Sequence, residues 1–165
     1  MIEIVRVITI AQIEAVAALA AEIWREHYTP IIGADQVEYM IEKFQSKDAI
    51  KHQIDSGDLV YYLLYAARRS AGYFAIQVRS DEVFLSKLYV ARPSRKLGLA
   101  RMTIDFIKSV AADNCLKRVS LTINKNNRES LAAYERLGFK NEKAVVTDIG
   151  NGFYMDDFVL VLPVK

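Results

Sequence analysis

Residues 83–113, "VFLSKLYVARPSRKLGLARMTIDFIKSVAAD", join two hydrophobic patterns of different period. Val83 to Val90 is a short apolar run of the kind that forms a strand, and Leu97 to Asp113 carries apolar residues at helical spacing. A second strand-like run, "RVSLTI", follows at 118–123. Strand, helix and strand form a βαβ unit. Its crossover is expected to be right-handed, with the helix N-terminus opening at the carboxyl end of the first strand.

That N-terminus has the wrong charge for a helix start. Four N–H groups there lack intrahelical partners and the macrodipole is positive, so acidic side chains are favoured. The sequence instead supplies Arg92, Arg95, Lys96 and Arg101, and puts Gly98 and Ala100 where a capping side chain could sit. A mismatched charge costs a few tenths to about 1 kcal/mol, so the pattern does not serve the helix. Two readings fit the stretch: a solvated basic turn, or an anion mouth in which glycine lets a polyanion approach the main chain. It is neither a P-loop nor a G-x-G-x-x-G turn, because the required glycines and the Gly-Lys-Ser/Thr ending are missing.

Working outward, "IEIVRVI" reads as a strand and Ile10 to His27 as a helix with Ile13, Val16, Ala17, Ala20 and Ile23 at helical spacing. Pro30 and Gly33 are expected to break the chain, and Asp35 to Asp55 to form one or two helices. "LVYYLLYAA" and "AGYFAIQV" are strands around a turn at Arg68 to Ala71. Arg128 to Leu137 is a helix closed by Gly138, and "FKNEKAVVTDI" and "GFYMDDFVLVL" form a hairpin around Gly150 to Gly152. The sum is a mixed α/β sheet in one domain, 1–165.

Composition bounds the function. The chain is 52% apolar and 25% charged with a net charge of +2, ordinary for a folded soluble protein and too weakly basic for general nucleic-acid or membrane binding. One cysteine, Cys115, allows no internal disulfide, and with only two histidines no metal site is expected. "ITIAQIEAVAALAAEIW" is the one candidate for a signal or membrane segment, but Gln12, Glu14 and Glu22 interrupt it. The expectation is a reducing, cytoplasmic setting.

A second motif lies at 124–140, "NKNNRESLAAYERLGFK". The two stretches together resemble the GNAT superfamily of acyl-CoA-dependent N-acyltransferases. Val90, Arg95, Gly98 and Ala100 fit its V-x5-[RQ]-x-x-G-x-[GA] signature. Asn127, Ser130, Tyr134, Gly138 and Phe139 fit its N-x-x-[SA]-x-x-x-Y-x-x-x-G-F segment. "YMIEKF" and "GYFAIQV" look closest to the polyamine and diamine acetyltransferase branch.

The resemblance implies a mostly antiparallel sheet of about seven strands flanked by about four helices and splayed between two parallel strands. It implies acetyl-CoA as co-substrate, with its pyrophosphate on the main-chain N–H groups of Lys96, Leu97, Gly98, Leu99, Ala100 and Arg101 and with Arg95 and Lys96 as counter-charges. Its pantetheine would lie along Leu88, Tyr89 and Val90, where a bulge would leave N–H groups for the thioester carbonyl. Asn127, Ser130 and Arg136 are implied cofactor contacts, Asn127 also by its reading as an N-cap, and Tyr134 the proton donor to the leaving thiolate. The acceptor would be a primary amine, with polyamines as one class, attacking directly in a ternary complex and facing Trp24, Tyr28 and Tyr39, whose rings suit a cation. Many family members carry a Glu four residues before the valine; here that residue is Ser86, which cannot hold a proton. Glu22, Glu26, Asp35, Glu38, Asp156, Asp157 or a chain of waters could replace it. Two alternatives stay open: a non-catalytic acyl-CoA-binding module, and a nucleic-acid contact at Arg92 to Arg101. Neither acyl length nor acceptor is specified, nor whether the chain is a monomer or homodimer.

Overall fold

The computed structural model describes residues 1–165. Its elements are β1 (Ile2–Arg6), α1 (Ile10–Ile32), α2 (Ala34–Gln45), α3 (Lys47–Asp55), β2 (Val60–Ala66), β3 (Arg69–Val78), β4 (Val83–Val90), α4 (Leu99–Asp113), β5 (Arg118–Asn124), α5 (Arg128–Arg136), β6 (Lys140–Gly150) and β7 (Phe153–Pro163), with a 3-10 turn at Arg92–Ser94. The seven strands form one sheet in the order β1-β2-β3-β4-β5-β7-β6, and β4 with β5 is its parallel pair. Five helices flank it, one more than expected, because Ser46 ends α2 and caps α3 by accepting from Ala49 N–H.

The chain divides into two compact units, Met1–Gln77 with Lys87–Ala100, and Val78–Ser86 with Arg101–Lys165. In the first, β1, β2 and β3 form an antiparallel meander, and every residue of β3 from Ala71 to Ile76 is buried, as befits a strand covered on both faces. Thr9 and Gln12 make a reciprocal capping box at the start of α1. The helix runs on past the expected stop at His27: Pro30 lies within its last turns, where a missing N–H removes one bond near an end that frays anyway. Gly33, at φ +87°, is what stops it. The β2–β3 turn is tighter than the sequence suggests. Ala67 and Arg68 both have positive φ, the backbone of a two-residue primed turn, but without the Asn-Gly that would announce it.

The second unit is built on β7, which pairs with β5 along Arg118↔Pro163 to Asn124↔Asp157 and with β6 on its other side. Arg118 bridges Glu82 at 3.0 Å and Glu142 at 3.2 Å, and Arg79 also holds Glu82, so that buried carboxylate is fully compensated. The parallel register of β4 with β5 spans Val83↔Val119 to Leu85↔Leu121 and no further. Along α4, Leu99, Thr103, Ile104, Ile107 and Ala111 make one buried stripe.

Gly72 marks a close backbone approach within the first unit. A Cβ there would lie 2.4 Å from the Tyr89 carbonyl oxygen and 3.1 Å from the Val90 Cα, both main-chain atoms that cannot rotate away. Gly72→Ala should therefore force β3 from β4 and destabilise the protein by about 1–3 kcal/mol. Thermal unfolding should show a Tm drop of roughly 2–4 °C per kcal/mol; an unchanged Tm would refute the close approach.

Candidate active site

The basic turn is tied down at its entry and open at its exit. Ala91 N–H donates to Ala71 C=O at 2.7 Å, Ser94 N–H to Ala91 C=O at 2.9 Å and Arg95 N–H to Arg92 C=O at 3.3 Å. Beyond Arg95 the chain turns left-handed at Lys96 (φ +67°) and Gly98 (φ +81°) before α4 begins at Leu99, two residues later than the sequence suggests. Such alternation turns successive N–H groups toward one side, a main-chain nest for anions. The first amides of α4 add to it, since a helix cannot satisfy them internally. Leu99 is 2% exposed and anchors the turn, while Lys96, Leu97 and Gly98 are exposed. No atom lies within 4 Å of where a Gly98 side chain would begin, so the turn leaves room for a ligand at that position.

Arg95 does more than carry charge. Its Nε donates to Val90 C=O at 3.1 Å and its Nη2 lies 3.5 Å from the Glu26 carboxylate. It therefore fastens the turn to the end of β4 and to α1, with further guanidinium donors left over. Arg101 is exposed one turn into α4.

Leu88, Tyr89 and Val90 are half-buried. The Tyr89 ring meets Trp24 edge-on at 5.4 Å and lies 5.7 Å from Tyr73, and its hydroxyl is 2.9 Å from that of Tyr28. The structure thus brings Trp24 and Tyr28 together. Trp24 is 3% exposed and donates through Nε1 to the Tyr73 hydroxyl at 3.0 Å, a core position behind Tyr28 and Tyr89 in the same ring cluster. Burial pushes the Tyr73 phenol far above its ordinary range. Tyr39 is on α2, where Lys43 donates to its hydroxyl at 3.4 Å.

Lys87 is a residue that the sequence reading missed. Its Nζ lies 5.8 Å from the centre of the Tyr61 ring, and burial lowers the amine to about 8, against the pull of Asp58. The available signal was its phase: in a strand, Lys87 alternates with Val83 and Leu85, both buried.

In the second unit, α5 carries the remaining residues. Asn127 is 4% exposed and occupies the N-cap position of α5 as expected, its C=O accepting from Leu131 N–H and its own N–H donating to Asn124 C=O, but its side chain makes no capping bond. Ser130 and Tyr134 are half-buried on α5 and Arg136 is exposed near its end. The Tyr134 ring packs edge-on against Phe139 at 5.5 Å, which orients it. Gly138, at φ +103°, ends the helix as the sequence implies.

Residues 28–154 match the Acetyltransferase (GNAT) domain. That is well over half of the chain, and the chain belongs to this family. A curated relative, the 5-NmdU N-acetyltransferase of Pseudomonas phage PaMx11, is 36% identical over 70 residues, covering 41% of this chain and 48% of the relative. The match thus spans about half of that relative's length. Among solved structures, the PaiA N-acetyltransferase of Thermoplasma acidophilum in complex with coenzyme A superposes with a TM-score of 0.83 at 19% identity over 99% of both chains. The spermidine N-acetyltransferase of Vibrio cholerae, with CoA and spermine, gives 0.71 at 14% identity over 99% of this chain and 95% of that one. These structural likenesses are likenesses of fold. No helix is long and apolar enough to cross a membrane.

Lys87 gives the site a measurable signature. Between pH about 8 and 10.5 the unfolded chain keeps a proton that the folded chain has released, so stability rises with pH across that window. Denaturant unfolding at a series of pH values should show this slope in the wild type and a shallower one in Lys87→Met. Equal slopes would mean that Lys87 titrates as an exposed lysine.

Proposed function

We propose that this protein transfers an acetyl group from acetyl-CoA to a primary amine by direct attack, with polyamines as one acceptor class. The observation that carries the reading is the left-handed, amide-rich turn Lys96–Gly98 at the start of α4, where the sequence matches the acyl-CoA signature of the family to which the chain belongs. The donor set suits a diphosphate: main-chain N–H groups supply directed hydrogen bonds, and Arg95, Lys96 and Arg101 supply charge. The amide-lined turn favours a small anionic group over the regular phosphate spacing of a nucleic acid.

Acetyl-CoA supplies an activated thioester. The amides of Lys96 to Arg101 hold the pyrophosphate, and the main chain of Leu88, Tyr89 and Val90 takes the pantetheine as an added strand partner and polarises the carbonyl. Asn127, Ser130 and Arg136 contribute further contacts. Tyr134 gives its phenolic proton to the departing thiolate. With ordinary pKa values near 10 and 8.5, that transfer is uphill by about 2 kcal/mol, well within reach of a positioned acid. The amine is the harder partner: with a pKa near 10.4, its neutral form at pH 7 lies about 4.6 kcal/mol uphill. A spermidine acetyltransferase among the structural neighbours supports trying polyamines first.

Thiol release from acetyl-CoA with spermidine, putrescine and lysine as acceptors tests the proposal. Turnover is expected, and Tyr134→Phe should lower kcat roughly 10²-fold or more while leaving the Kd for coenzyme A within a few-fold. Tight binding of coenzyme A without turnover on any amine would make the protein a non-catalytic acyl-CoA-binding module instead.

A further inference from the structure

Ser86 leaves the reaction without a carboxylate on β4, and the structure offers six others for comparison. Glu38 is paired with Arg25 at 2.7 Å, Glu26 with Arg95 at 3.5 Å and Asp156 with Lys125 at 2.8 Å. Glu22 and Asp35 are exposed. Asp157 differs from all of them. It is 5% exposed, forms no ion pair, and no group in the chain donates a hydrogen bond to it. The residue is largely desolvated, yet its carboxylate oxygens are not sealed from solvent, so a water or a bound amine can reach them.

Its position supplies the use. Asp157 is in register with Asn124, the last residue of β5, so it stands at the carboxyl end of the parallel pair, where open α/β sheets bind ligands. Phe84 is in register with Ser120, and alternation then sets Ser86, Thr122 and Asn124 on one face of the sheet, the face that Asp157 shares through its pairing with Asn124. The missing β4 carboxylate and the unpartnered β7 carboxylate therefore belong to the same side of the same sheet.

We infer that Asp157 is the proton acceptor for the amine, replacing a carboxylate at position 86; this rests on the acetyl-transfer reading above. The acceptor ammonium gives one proton to the Asp157 carboxylate and becomes a neutral amine. Its nitrogen bonds to the thioester carbon, the C–S bond breaks, and the sulfur takes the Tyr134 proton. The phenolate recovers a proton from the new amide nitrogen, directly or through water, and Asp157 releases its own to solvent. One ammonium and one thioester yield one amide, one thiol and one proton.

The surroundings tune the group. Burial first and the neighbouring Asp156 second raise the Asp157 carboxyl to about 6, with Lys125 opposing them. On β6 the residue opposite is the uncharged Val145. A carboxyl near 6 is a better base than an ordinary one and is still ionised at pH 7. Its raised folded-state value also means that folding stability falls as pH rises from about 4 to about 6, since there the unfolded chain ionises first.

Two measurements together test the inference. In the apo protein, a carboxyl-detected carbon NMR titration should find Asp157 near 6, and Asp156→Asn should move it down. With acetyl-CoA and spermidine, putrescine or lysine, kcat/KM should fall as pH drops through the same value, and that limb should also move down in Asp156→Asn. Asp157→Asn should lose the limb and roughly 10²-fold of kcat/KM at pH 7.5, keep its affinity for coenzyme A, and melt higher than wild type at that pH. Wild-type turnover with an unchanged rate and limb in Asp157→Asn, or an Asp157 titrating near 4, overturns the inference alone. Absence of wild-type turnover on all three amines overturns it together with the acetyl-transfer reading.

Discussion

Main-chain amides without internal partners are the constraint around which the account is built. The start of α4 cannot satisfy its own N–H groups, and the residues before it, Lys96 and Gly98, adopt a backbone that turns more of them outward. No acidic or hydroxyl side chain caps the helix. Apart from Glu26, which pairs with Arg95, the charges around the turn are positive, so the amides and cations together suit an anion from outside the chain. Arg95 adds rigidity by gripping the Val90 carbonyl, so the mouth is held in shape before a ligand arrives.

Two desolvated ionisable side chains, half-buried Lys87 and buried Asp157, set the protein's response to pH. Lys87, over the Tyr61 ring, is held down to about 8, and Asp157, without a donor, is held up to about 6. In each case desolvation disfavours the charged form. Both run against stability at neutral pH. Glu82, in contrast, is also buried, but hydrogen bonds from Ser120, Arg118 and Arg79 outweigh its desolvation and hold it below the ordinary carboxylate range. The difference separates a carboxylate that holds the fold from one that is available for chemistry.

Much of this was legible in the sequence, and the gaps have physical causes. The βαβ unit, the hairpins and the break at Gly138 follow from periodicity and turn chemistry, which are local. Pro30 misled because the cost of proline depends on where in the helix it falls, and only the fold reveals that Gly33 ends α1. The Ala67–Arg68 turn was invisible because tertiary strand pairing imposes positive φ on residues that do not favour it. That the Trp24 indole donates to a tyrosine 49 residues away was likewise beyond any local pattern. Asp157 stood among six candidates, and no local pattern records that it lacks a partner. Long-range pairing decides such questions.

The most direct test is an amide-detected NMR titration of the isotopically labelled protein with coenzyme A. The account predicts saturable shifts whose largest members are the amides of Lys96 to Arg101, moving downfield as they donate to phosphate. If those amides stay in place at saturating coenzyme A, or the largest shifts fall on elements remote from the start of α4, the central claim is wrong.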